Sequence, residues 1–359
     1  MLGTANSPYI YNGTDITHSG GTISFSSGDD IEIEKDVTLQ LAADMTAKGI
    51  TVKGDNVTLE LDGYELNASN IKADPQCSLR IDGGGGRLKI NTNSATAIYL
   101  KTGDLVIENL NSGEIISSDG DGIDTDTGSI TIRNITNSLT IAGDYIGIKT
   151  VPGYGSNYGD ITIQNVGFLK VQGRQEGIDA RGDLLIENVQ VEATSQDRSG
   201  IDAEDITIIN SKVTAKGTGN DYFDGGIVSG GTITISGADT VVTATSNGTG
   251  QDAAITAKDD IVIDAPLGIE TPAGGVVGNN ANAGGTEVFK STLESDGTTV
   301  AKHAVIKQPS FGGDGGGCAS VTGVGRGGKG FSDPSFPLFM LAAWAAHFLF
   351  RRRKSMQGV

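Results

Sequence analysis

The sequence predicts an all-β chain wound as a parallel β-helix. Three observations carry that reading: one strand pattern recurs at a near-constant interval, one turn residue recurs with it, and the composition suits short strands and turns. Of 359 residues 54 are glycine, and aromatic residues make up only 5%. Few aromatics alongside many Gly, Thr, Ile and Asp favour many short strands over a helical core.

The recurring strand has an apolar-x-apolar centre. It reads Leu105-Val106-Ile107, Ile130-Thr131-Ile132, Ile161-Thr162-Ile163, Leu184-Leu185-Ile186, Ile206-Thr207-Ile208, Ile233-Thr234-Ile235 and Ile261-Val262-Ile263, with central residues 25, 31, 23, 22, 27 and 28 apart. Such a period is the mark of a repeat architecture. A second element precedes each strand: Ala97-Ile98, Gly122-Ile123, Gly147-Ile148, Gly177-Ile178, Gly200-Ile201, Gly226-Ile227 and Ala254-Ile255. A third follows most of them, as in Ser138–Ile141, Phe168–Val171, Val189–Ala193 and Val213–Ala215. Alternation at period 2 puts one side of each strand in a core and the other in solvent.

Alternation would also suit hairpins in a sandwich, so the turn residue decides. Three positions past each strand centre stand Asn109, Asn134, Asn165, Asn188 and Asn210, then Gly237. Asn and Gly best tolerate a left-handed backbone, so one shared turn fits all six. Stacked in register, the amides would bond along the stack as a ladder. Three strands and one fixed turn per repeat make the coil of a parallel β-helix.

The pattern extends upstream through Ile31–Leu41, Gly49–Val52, Val57–Leu61 and Ser78–Ile81. Residues 25–275 hold about ten coils of roughly 25 residues, a rod on the order of 50 Å long. Each end exposes an unpaired edge. Residues 1–24 are expected to cap one end and 276–311 the other, with Glu287–Lys307 folded over it as a hairpin about Ser295-Asp296-Gly297.

The formal charge is −18. The tail after Ser332 carries a net +3, which leaves −21 on residues 1–332. That excludes nucleic acid as a partner, because backbone binding draws on clustered Lys and Arg. Cations, neutral sugars and basic surfaces remain. The two cysteines lie in unlike contexts: Cys77 in the strand-rich body is expected buried and free, and Cys318 sits in a glycine-rich stretch. The opening Met1–Asn6 has neither a basic n-region nor an apolar h-region. An exported protein would therefore have its signal peptide outside this chain.

Residues 312–332 read as a flexible glycine-rich linker, and 333–359 as a membrane-directed segment. The latter runs Asp333-Pro334-Ser335, an apolar stretch Phe336–Phe350, then Arg351-Arg352-Arg353-Lys354. The apolar stretch is short for an ordinary spanning helix of about 20 residues, and the basic cluster would stay on the cytoplasmic side. Trp344 and apolar residues on every face speak against a buried amphipathic helix. The arrangement resembles the tripartite C-terminal sorting signals of bacterial surface proteins, in the class with a Gly-Cys motif. That resemblance implies a short transmembrane helix, a sorting protease as partner and display at the cell surface. It makes Cys318, Asp333, Pro334, Arg351, Arg352 and Arg353 the processing residues. The distance from Cys318 to the apolar stretch departs from the pattern, and a permanent tail anchor is the alternative.

Chemistry is sought at the residue after each Gly-Ile or Ala-Ile pair, which should face outward. These are Tyr99, Asp124, Lys149, Asp179, Asp202, Val228 and Thr256, stacked about 4.8 Å apart in a β-helix. Asp179 and Asp202 become neighbours, and carboxylates that close repel unless one is protonated or a cation lies between them. Calcium prefers oxygen ligands of this kind. The densest acidic run, Asp119, Asp121, Asp124 and Asp126, lacks the final Glu of an EF-hand loop but would hold calcium between coils. The plain alternative is a solvated acidic face neutralised by Lys149. Ligand-binding candidates are Tyr99, Asp124, Lys149, Asp179 and Asp202; rings for stacking on sugar are Tyr99, Tyr145, Tyr154, Tyr158, Tyr222 and Phe223. No histidine pairs with a nucleophile, so no catalytic residue is assigned. Arg181-Gly182-Asp183 spells an adhesion tripeptide, yet its Gly-Asp simply opens the next strand.

The unit Asp121-Gly122-Ile123-Asp124…Gly128-Ser129-Ile130-Thr131-Ile132 resembles a family of bacterial carbohydrate-binding proteins with the pectate-lyase-like, right-handed parallel β-helix. The likeness covers about residues 97–265 and implies a polysaccharide ligand and bound calcium. Asp121, Asp124, Asp179 and Asp202 follow the pattern, and Lys149, Val228 and Thr256 depart from it. The expectation is a non-catalytic surface protein that binds polysaccharide or acts as an adhesin. The alternatives are a calcium-dependent lyase or glycoside hydrolase, and a structural surface-layer component.

Overall fold

A computed structural model describes residues 2, 8–18, 21–151, 158–219, 224–248, 252–280 and 289–309. The chain divides into two units, Met1–Ser310 and Phe311–Val359. The second lies wholly outside the described residues, and with it fall the expected linker and transmembrane helix and the processing candidates Cys318, Asp333, Pro334, Arg351, Arg352 and Arg353. Among the described residues no helix is long and apolar enough to cross a membrane.

The first unit is an all-β solenoid of about eight turns, against the ten coils expected. Its first sheet stacks ten strands in parallel, from Asp30–Ile33 to Ile255–Ala257. The last is met by the antiparallel strand Phe289–Leu293, and the first by a single parallel bridge from Leu2 to Ile33. Ile31, Ile50, Ile71, Ile98, Ile123, Ile148, Ile178, Ile201, Ile227 and Ile255 form a single register column. All ten are buried, each contributing about 1.5–3 kcal/mol relative to exposure. A one-residue slip anywhere would turn an isoleucine to solvent, so this column fixes the register.

The second sheet carries the predicted apolar-x-apolar strands, and Ile81, Ile107, Ile132, Ile163, Ile186, Ile208, Ile235 and Ile263 stack within it. Asn109, Asn134, Asn165, Asn188 and Asn210 all have positive φ, between 46° and 56°, and Gly237 has φ 89°. Their amides form a ladder: Asn134 donates to Asn109 (3.2 Å), Asn165 to Asn134 (3.4 Å) and Asn188 to Asn165 (3.3 Å). In the middle coils the second and third strands run on through this corner as single elements, Ile130–Ala142, Ile161–Gly173 and Leu184–Ser195. The reverse occurs upstream. The alternating stretch Ile31–Leu41 divides into Asp30–Ile33 and Thr38–Leu41 because Asp36 turns the chain at φ 56°.

Both ends are closed by antiparallel strands. Tyr9–Tyr11 extends the second sheet beside Thr38–Leu41 and pairs antiparallel with Asp15–His18, which pairs with Gly21–Ser24. At the far end the expected hairpin is opened out. Phe289–Leu293 pairs with Ile255–Ala257 and Val276–Asn280, while His303–Lys307 pairs with Val241–Ser246 and Gly268–Thr271. The Leu293–Val300 bridge joins the two segments. Asp296 still makes the turn, accepting from the Thr299 hydroxyl at 2.6 Å and from the Thr298 and Thr299 amides at 2.8 Å, and these bonds, the hydroxyl's first, hold its carboxyl down at about 2. Cys77 is a buried free thiol.

Candidate functional site

The first sheet sets the site because its isoleucine column points inward and the next residue of every strand points the other way. That second column runs Glu32, Thr51, Lys72, Tyr99, Asp124, Lys149, Asp179, Asp202, Val228, Thr256. Tyr99, Asp124, Lys149, Asp179 and Asp202 are thus consecutive rungs.

Their surroundings differ from an open acidic face. Asp124 is only 8% exposed and Asp179 only 2%. Asp121 and Glu176, which precede the Gly-Ile pairs of their coils, are buried beside them. Cationic side chains pair with them. Lys149 Nζ lies 3.6 Å from Asp121 and 4.0 Å from Asp124. Arg181 donates to Asp179 at 3.1 Å, and Arg198 pairs with Glu176 at 3.0 Å. Arg181 is therefore an ion-pair partner of the column, whatever the tripeptide around it spells.

Burial raises every carboxyl of the column whose acidity is shifted. Asp124 is pushed up to about 7 by burial, opposed by Lys149 and reinforced by Asp121, Asp126 and Asp179. Asp179 rises to about 6 by burial against the pull of Arg181. Asp202 rises to about 7, by burial first and then by the charge of Asp179. Tyr99 is raised to about 12 by burial and by its 2.9 Å hydrogen bond to Asp126. Asp124 Oδ1, Asp179 Oδ1 and Glu176 Oε2 are buried without a hydrogen-bond partner in the protein.

The six aspartates considered for metal do not gather into one cage. Asp119 is exposed on its turn. Asp121 accepts from the Ile146 amide at 2.9 Å, and Asp126 faces Tyr99. Among the described residues no group of three or more His, Cys, Asp or Glu side chains is placed to hold a metal ion. Asp179 and Asp202 stand as a pair on adjacent rungs. The acidic run need not make a cage because only Asp124 lies on the strand Ile123–Thr125, while Asp121 and Asp126 flank it with partners of their own, the Ile146 amide and the Tyr99 hydroxyl.

Of the stacking candidates, Tyr145 (42% exposed) and Tyr158 (55%) are the open rings, and Arg174 lies over Tyr145 at 5.1 Å. Tyr154, Tyr222 and Phe223 lie outside the described residues. Glu176, the partner of Arg198, is the buried carboxylate beside the column that sequence reasoning missed. The available signal was the position immediately before Gly177-Ile178, which Asp121 fills before Gly122-Ile123.

No protein-family model, curated protein or solved structure matches this chain.

Proposed function

We propose that this protein is a non-catalytic polysaccharide-binding or adhesive module, displayed on a bacterial surface through its C-terminal segment. The observation behind the reading is the column Lys72, Tyr99, Asp124, Lys149, Asp179, Asp202, one polar side chain per coil in unbroken register. A repeated line of donors, acceptors and one ring suits an extended polymer better than a small ligand. The mixed signs favour hydroxyl-rich chains over a polyanion. Asp179 and Asp202 are the pair that calcium would bridge, with ligand hydroxyls completing its shell.

A second reading, a polysaccharide lyase or glycoside hydrolase, draws on the carboxyls of Asp124, Asp179 and Asp202 at about 6–7. Acids in that range are suited to proton transfer near neutrality. Retention of the full chain on insoluble polysaccharides, with calcium and with chelator, tests the first reading. Release of soluble sugar from a retained polymer would favour the second. Retention on none would leave a structural surface component.

A further inference from the structure

A second feature lies, away from the ladder, on the third sheet, which stacks Arg87–Thr92, Ser112–Ser117, the C-terminal halves of Ile130–Ala142, Ile161–Gly173 and Leu184–Ser195, then Lys212–Gly217 and Val241–Ser246. The corner between the second and third sheets has unequal length along the solenoid. From Ile132 to Leu139 the chain advances seven residues, from Ile163 to Leu169 six, from Ile186 to Val191 five, from Ile208 to Val213 five, and from Ile235 to Val242 seven. The register shifts between Val166 and Leu169 mark where the extra residues enter. Two short-cornered coils are thus set between longer ones and form a notch of about 320 Å³.

The walls are apolar: Phe168 stands on the long-cornered coil at one side and Val241 at the other. They are three strand spacings apart, about 14 Å. The floor is polar, with Gln190 and Glu192 on one short coil and Lys212 and Thr214 on the next. Gln190 and Lys212 are exposed, and Phe168, Glu192, Thr214 and Val241 are half-buried. A concave site with an aromatic wall and a few convergent polar groups is the usual form of a ligand pocket.

We infer that this notch is a separate binding site for a neutral saccharide unit, its ring stacked on Phe168 and its hydroxyls bonded by Gln190, Glu192, Lys212 and Thr214. One carboxylate and one ammonium leave the floor without net charge, so neither a uronate nor an amino sugar is favoured. The amide and hydroxyl supply both donors and acceptors, as a sugar hydroxyl requires. With the ladder on another sheet, one rod would hold two polymer segments at once, and the linked contacts would raise avidity.

The test is calorimetric titration of the full chain with hexasaccharides of neutral gluco-, galacto- and manno-configured polymers. At least one should bind. Phe168→Ala should weaken binding at the notch at least tenfold, and Thr214→Trp, which fills the notch, should remove that binding event and leave only the ladder's, with an unchanged melting temperature. Thr131→Trp, on the outward side of the second sheet, should bind as wild type. Binding by Thr214→Trp equal to wild type would overturn the site, as would no binding by any hexasaccharide. If binding is lost in Asp179→Asn/Asp202→Asn but kept in Thr214→Trp, the notch falls and the ladder reading stands.

Discussion

Asp179 and Asp202 are register partners on adjacent strands of the first sheet, and both carboxyls are raised to about 6–7. With Asp124 at about 7, three acids hold protons in the folded chain at a pH where the unfolded chain has lost them. Stability is then fully present below the unfolded carboxylate range of about 4 and is lost as pH rises to about 7. The melting temperature in chelator should fall between pH 4 and pH 8. Asp124→Asn/Asp179→Asn/Asp202→Asn should flatten that profile and melt higher at pH 8. A wild-type profile that rises across this window would contradict the assignment.

Calcium should act on the same pair. If it bridges the two carboxylates, it stabilises the folded state by mass action, and the melting temperature at pH 8 should rise with added calcium. Asp179→Ala/Asp202→Ala should abolish that rise. A calcium shift of undiminished size in the double variant would place the ion elsewhere.

Glu108 is 2% exposed and accepts from Arg80 on the preceding strand and Arg133 on the following one, the latter at 2.5 Å. Asp82 also receives Arg80, at 2.7 Å. One buried carboxylate therefore ties three successive coils. Glu108→Ala is expected to cost about 2 kcal/mol, measured by denaturant unfolding. Arg133→Ala should cost less, because Arg80 still meets the carboxylate and half-exposed arginines regain water.

Asn165 has φ 54° and links Asn134 to Asn188. Asn165→Ala should lose about 1–2 kcal/mol, from the left-handed backbone and from two amide bonds. Asn165→Gly keeps the backbone freedom and loses only the amide, so it should fall between alanine and wild type. Equal losses for both would mean that the backbone conformation matters little.

These residues also show how far the sequence was legible. The asparagine corner could be read directly, because residue type alone encodes tolerance of positive φ. The ladder of Tyr99 to Asp202 could be read because a fixed repeat dictates which residues share a column. What escaped depends on the walls around the strands. Asp124 and Asp179 look like surface carboxylates until Asp121, Glu176 and their cations close in on them, and no periodic pattern reports that depth. Arg80 and Arg133 are too far apart in sequence to suggest a common partner. The terminal strands escaped because an end cap pairs antiparallel and leaves the repeat.

The central claim is that the first-sheet ladder grips a polysaccharide chain. Its most direct measurement is retention of the full chain, wild type beside Tyr99→Ala/Lys149→Ala, on a panel of insoluble polysaccharides. The wild type should be retained on at least one polymer and most of that retention lost in the double variant, with both proteins melting alike. Equal retention of the two would contradict the ladder as the binding surface, and no retention of the wild type on any polymer would contradict polysaccharide binding itself.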